Sequence, residues 1–277
     1  MAIVTVLLNG CLSIPTAPSL TVDERVALAT SIATDTGLIS KRYQTNGFTL
    51  QGYHRFTSKQ EPLVVYIGGD GHAWERYGPS DDPTPMNPLA LRLAGLDQSP
   101  NVLYLARPCQ YVSDTCSVKY WTSHRMAKEV IDSYQQIITG VASHHGFSAV
   151  QLVGFSGGGG VAGLVAYQLK LNRQLRVESF RSVAGNLDHR YWTKELALIP
   201  MAGSLNASDI ASRINDIPQL HFIGRNDRVI SANISRRYQE QAGDTRCVTI
   251  SEQQASHVRG WVALWSQLSK LKASCVH

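Results

Sequence analysis

The stretch Ala149-Val150-Gln151-Leu152-Val153-Gly154-Phe155-Ser156-Gly157-Gly158 carries an apolar run of strand length into a glycine-bracketed serine, and a helix-forming segment, 161–170, follows it. A serine hydroxyl is a weak nucleophile until it is held exposed beside a base. A sharp turn between strand and helix does this by imposing strained backbone angles on the serine, and small flanking residues let strand and helix approach. The competing reading, a phosphate-binding loop, lacks the lysine that must follow its glycines.

Outward from this turn, apolar runs alternate with helical periodicity. Strands are predicted at 39–44, 48–56, 63–67, 102–105, 149–153, 177–183, 220–224 and 248–251, and helices at 21–36, 89–95, 123–143, 161–170, 231–241 and 259–271. Thr21 is a candidate N-cap, Asn46-Gly47 is a hairpin signal, and His144-His145-Gly146 stops the long helix. The alternation predicts an α/β protein with a mainly parallel sheet of about eight strands flanked by helices.

The 277 residues are 43% hydrophobic and 17% charged, ordinary values for a globular chain, and no linker divides them. A net charge of +5 is spread along the chain without a basic tract, which excludes the usual nucleic-acid footprint and at most favours anionic envelope lipids. Histidines and carboxylates show no metal-ligand spacing. The glycines 154–160 lack the acidic partner of a dinucleotide site, since Glu178 follows a polar stretch rather than ending a strand. No cofactor or metal is expected.

With Gly154-Phe155-Ser156-Gly157-Gly158 between strand and helix, the chain resembles the α/β-hydrolase superfamily over about residues 45–277, in which the triad runs Ser, Asp, His. The resemblance implies a serine hydrolase that cleaves carboxylic esters through an acyl-enzyme, with Ser156 as nucleophile. Asp227, three residues past Gly224 at a strand end, takes the place of the acid that fixes the imidazole and stabilises the imidazolium. Capping of the next helix is its alternative role, and Asp188 is the second-choice acid. His257 takes the place of the base. His54, His124, His144, His145, His189 and His277 fall where this fold does not reach Ser156, and His221 lies within a strand.

Oxyanion donors are expected at Gly157 and in Gly68-Gly69-Asp70-Gly71, at Asp70 or Gly69. Here the sequence departs from the family's His-Gly pair. Asp70 would sit near developing negative charge, which requires its side chain to point away or to pair, with Arg107 as the candidate partner. His72, Phe155 and Trp192 are expected in the substrate pocket. A cap over 186–218, with Tyr191, Trp192, Leu196 and Ile199, is long enough for a two-helix lid and suits small or medium acyl esters. Lipase or phospholipase, thioesterase and peptidase chemistry run on the same triad, and a non-catalytic binding protein is the alternative from another class.

The blocks 66–74 (Tyr-Ile-Gly-Gly-Asp-Gly-His-Ala-Trp), 82–85 and 104–111 further resemble proteobacterial α/β-hydrolase-like lipoproteins, which implies export. The short apolar run 2–8 ends in Leu8-Asn9-Gly10-Cys11, similar to a lipobox, and a Pro/Ser-rich tether follows. On this reading 1–20 is signal and tether, 21–277 is the hydrolase domain, and lipid on Cys11 anchors an otherwise periplasmic or outer-membrane protein. The run lacks a preceding Lys or Arg, and Asn9 stands where a small residue is usual; an N-terminal strand is the alternative. Of the five cysteines, four then remain. The expected fold favours the pairs Cys109 with Cys116 and Cys247 with Cys275, one of three connectivities, each contributing about 2–4 kcal/mol.

Overall fold

The Thr21 hydroxyl accepts from the Glu24 N–H while the Glu24 carboxylate accepts from the Thr21 N–H, a capping box that starts helix α1 (Val22–Asp35). The structure is a computed structural model describing residues 19–112, 116–173 and 175–276. Cys11, the remainder of 1–18, and His277 lie outside the described residues.

Eight strands follow: β1 (Ile39–Gln44), β2 (Thr49–Phe56), β3 (Leu63–Ile67), β4 (Asn101–Leu105), β5 (Ala149–Phe155), β6 (Arg176–Val183), β7 (Gln219–Gly224) and β8 (Val248–Gln253). They form one sheet in the order β1-β2-β4-β3-β5-β6-β7-β8, antiparallel across β1, β2 and β4 and parallel elsewhere. The helices α2 (Leu89–Leu96), α3 (Lys128–His145), α4 (Gly157–Asn172), α5 (His189–Glu195), α6 (Ala232–Ala242) and α7 (Trp261–Leu268) complete the alternation.

The two-residue period of a strand sorts side chains between two cores. On β3, Leu63, Val65 and Ile67 join the core under α3, α4 and α6, while Val64 and Tyr66 join the one under α1, α2 and α7. Burial on both faces explains why the central strands read as continuous apolar runs. Trp261 and Trp265 dock α7, and the Trp265 indole N–H donates to the Tyr66 hydroxyl. Disulfides join Cys109 to Cys116 and Cys247 to Cys275, the pairs that the expected fold favoured.

The hairpin signal Asn46-Gly47 sits at the turn between the paired strands β1 and β2, where neither residue has positive φ, so the turn is not of the primed type. The Thr45 hydroxyl accepts from the N–H groups of Gly47 and Phe48, replacing the carbonyl that a primed turn would use. Helix α3 begins at Lys128 rather than 123; a 3-10 turn (Val118–Trp121) and the segment 122–127 precede it, and Val118, Thr122, Ser123 and Arg125 line the cavity described below. Helix α4 begins at once at Gly157, not at 161. Between β6 and β7, α5 borders the cavity described below, whereas the second helical piece, a 3-10 turn (Ala207–Arg213), buries Ala207 and Ala211 in the core. Its packing against the core gives the region one bordering helix where a two-helix lid was expected.

Candidate active site

Ser156 stands between β5 and α4 with φ 53° and ψ −125°, the strained geometry expected of a nucleophile turn. The strain is held from two sides. Ser156 N–H donates to the Val183 carbonyl at 3.0 Å, and the Ser156 carbonyl accepts from Asn186 N–H at 2.8 Å and Gly159 N–H at 2.9 Å. A Cβ on Gly154 would collide with the Gly158 carbonyl, so the glycines on either side of the serine are what allow strand and helix to close on each other.

His257, on the loop after β8, places Nε2 3.1 Å from Ser156 Oγ and Nδ1 2.9 Å from Asp227 Oδ2. The Asp227 side chain is fully buried, and its other oxygen accepts from the N–H groups of Val229 and Ile230. These bonds fix the carboxylate after β7; Ser231, not Asp227, is the N-cap residue of α6. Asp188 is elsewhere occupied, accepting from Tyr191 N–H at the start of α5 and from the Asn206 amide.

Opposite the serine, the turn after β3 brings Asp70 against Gly157, where any Cβ would strike the Asp70 carboxylate. Gly157 is the first residue of α4, whose leading N–H groups have no intrahelical acceptor. Among the described residues the N–H groups of Gly69 and Asp70 also have no protein acceptor. The Gln110 amide donates to the Gly69 carbonyl and keeps this turn in place.

Asp70 is paired, with Arg107 at 2.8 Å as expected and also with Arg125 at 2.6 Å. Burial alone would raise the Asp70 carboxyl, but Arg125 and Arg107 outweigh it and hold its pKa below the usual carboxylate range. Arg107 in turn donates to the Arg125 carbonyl. Two guanidinium groups around one carboxylate leave the cluster with a net positive charge behind the candidate oxyanion donors.

A cavity of about 1020 Å³ opens over Ser156 and His257. His72, Phe155 and Trp192 line it, and of the nine histidines only His72 and His257 do so among the described residues. The Phe155 ring lies 5.3 Å from the His257 ring, and the Trp192 indole donates to the Val229 carbonyl. Most other lining side chains are apolar, including Leu89, Leu198, Met201 and Ile230. Arg125, Gln110 and Asn186 were missed by sequence reading. Arg125 fell inside the expected helix 123–143 and drew no separate reading.

A family model described as serine hydrolase (FSH1) matches residues 97–258, more than half of the chain and inclusive of Ser156, Asp227 and His257. No sequence among curated proteins matches. Among solved structures, Est1E from Butyrivibrio proteoclasticus with ferulic acid bound is 13% identical with a TM-score of 0.58, covering 83% of this chain and 96% of that one. An esterase of Pyrococcus furiosus is 16% identical at 0.59, covering 85% and 89%. The 2,6-dihydroxy-pseudo-oxynicotine hydrolase is 14% identical at 0.61, covering 92% and 75%. At these identities the likeness concerns the fold, which is the α/β-hydrolase fold.

Proposed function

Because the chain belongs to the serine hydrolase (FSH1) family, we propose that it hydrolyses carboxylic esters through an acyl-enzyme on Ser156. The observation that carries this reading is the single imidazole of His257 bonded at one nitrogen to Ser156 and at the other to a buried carboxylate. His257 Nε2 takes the Ser156 proton as Oγ attacks the ester carbonyl, and Asp227 stabilises the imidazolium while remaining ionised. The tetrahedral oxyanion is received by the N–H of Gly157 and that of Asp70 or Gly69. As the intermediate collapses, His257 returns the proton to the departing alcohol. Water, deprotonated by the same nitrogen, then releases the acid and restores Ser156.

Arg107 and Arg125 act as positioning residues. They hold the Asp70 carboxylate away from the oxyanion and neutralise it, so that only the backbone of this turn faces the reaction. The cavity volume lies at the upper end of ligand pockets, about 300–1,000 Å³, which supports an ester with an apolar group larger than the small or medium acyl chains that a short cap suggested.

Two disulfides accord with an oxidising compartment. Among the described residues no helix is long and apolar enough to cross a membrane. Export, with lipid on Cys11 as the anchor and 1–20 as signal and tether, remains part of this proposal.

The test is labelling by a fluorophosphonate probe together with turnover of p-nitrophenyl esters of increasing chain length, for wild type and Ser156→Ala. Loss of both in the variant is the expected result. Folded wild type that neither labels nor turns over any ester returns the fold to a binding role, and amide or thioester turnover in place of ester turnover reassigns the substrate.

A further inference from the structure

Around the mouth of the cavity the protein exposes an unusual set of side chains. Trp74, Val118, Leu198, Ile199, Val229 and Val258 all line the cavity and yet are 40%, 45%, 42%, 71%, 43% and 45% exposed. They come from five separate loops, after β3, β4 and β6 and after β7 and β8 beside Asp227 and His257, so no single element's packing accounts for them. Tyr77, 89% exposed, extends the set beyond Trp74. Apolar exposure converging on one opening marks a surface that is covered in use.

Cations are interleaved with these residues in sequence. Arg76 lies between Trp74 and Tyr77, Lys119 follows Val118, Arg228 precedes Val229, Arg259 follows Val258, and Lys194 precedes the Leu198 loop; all five are exposed. Among the described residues none of them forms an ion pair. Among the described residues, most carboxylates of the same segments have partners within the protein: Glu75 lies beside His72, Asp82 accepts from Thr84 N–H, and Glu195 accepts from Ser231 and Tyr191, while Asp81 is exposed. An apolar ring studded with unpaired cations is complementary to a lipid surface of negative charge, where the apolar side chains enter the acyl boundary and the cations meet headgroups.

We propose that this rim docks the cavity mouth onto an anionic lipid surface. Docking needs no catalysis; only the further step, that an apolar ester passes from that surface into the cavity, rests on the esterase reading. Placing the opening against lipid lets such a substrate enter without crossing water, where its apolar transfer would be unfavourable.

The experiment is co-sedimentation of the full chain with vesicles of phosphatidylcholine alone or mixed with phosphatidylglycerol. Every protein compared carries Cys11→Ser, so that lipid on that cysteine cannot contribute, and Ser156→Ala, so that hydrolysis cannot alter the vesicles. Binding is expected to be tighter on the mixed vesicles and to weaken about five-fold for each of Arg76→Gln and Lys119→Gln, with a further loss from Tyr77→Ser. The same three substitutions placed in the Ser156 protein are expected to leave turnover of a soluble short ester unchanged, which shows that the fold is intact. No binding to mixed vesicles, or binding equal for neutral and mixed vesicles and for the variants, overturns the proposal. Vesicle binding with no ester turnover by the Ser156 protein would sink the esterase reading and leave the docking standing.

Discussion

Two serine–histidine pairs sit in this one sheet. Ser182 and His221 face each other across β6 and β7, with Ser182 Oγ 2.9 Å from His221 Nδ1; Ser156 and His257 meet at the carboxyl ends of the strands at 3.1 Å. By distance alone the first pair is the better one. It differs in two respects. The other nitrogen of His221 meets the neutral Gln219 amide oxygen at 3.2 Å, whereas that of His257 meets the Asp227 carboxylate. Ser182 and His221 are also completely buried, and burial pushes the His221 pKa down to about 3, so that the ring is held neutral at physiological pH and is a poor proton acceptor. On the proposed reading, a hydroxyl beside an imidazole becomes a reactive pair only with a carboxylate behind it and open space before it.

The largest effect that breaks the comparison is expected from Asp227→Asn, which gives His257 the same kind of neutral partner that His221 has. The loss in kcat on a soluble p-nitrophenyl ester should be on the order of 10^4, while Ser182→Ala leaves turnover unchanged. Retained activity in Asp227→Asn would move the acid elsewhere. Next is Gly157→Ala, whose methyl would drive the Asp70 carboxylate and the neighbouring donors apart. Steady-state kinetics should show kcat down about 10²–10³-fold with KM nearly unchanged, the mark of a lost oxyanion donor; a pure KM effect would instead place this turn in substrate binding.

The smallest effect concerns stability. The folded pKa of His221, about 3, lies below its ordinary 6.5, so between these values the unfolded chain binds the extra proton and stability falls as pH falls. His221→Gln should lower stability at neutral pH yet flatten its acid dependence by about 1.4 kcal/mol per pH unit in that window, read from denaturant unfolding at several pH values. The Asp70 contribution does not enter the upper part of this window: its lowered pKa gives stability that is full above the ordinary carboxylate value and is lost only as pH falls through the folded one. An unchanged slope in the variant would mean that His221 is charged inside the sheet.

The eight strands were legible because each central one is apolar on both faces, a pattern that survives any detail of packing. That Ser156, Asp227 and His257 come together was anticipated from the family resemblance, and each stands just past a strand end, where a parallel sheet collects its loops. Arg125 was not. It stands at the start of the stretch read as a helix, but a buried ion pair with Asp70 and a hydrogen bond from its Nε to the Thr122 carbonyl accompany a non-helical course there. The hairpin at Asn46-Gly47 was legible, while the form of its turn was set by one threonine hydroxyl through two hydrogen bonds.

From the amino-acid order alone came the layer architecture and the strand-serine-helix turn, because strand burial and glycine requirements are written into contiguous residues; the order of the serine's partners was what the family resemblance implied. Only the tertiary structure decided that Asp70 is neutralised by two arginines, that one histidine of two faces a cavity, and that apolar and basic residues from separate loops form a single rim. Those are relations between residues far apart in the chain, and no local periodicity encodes which distant side chains share a space.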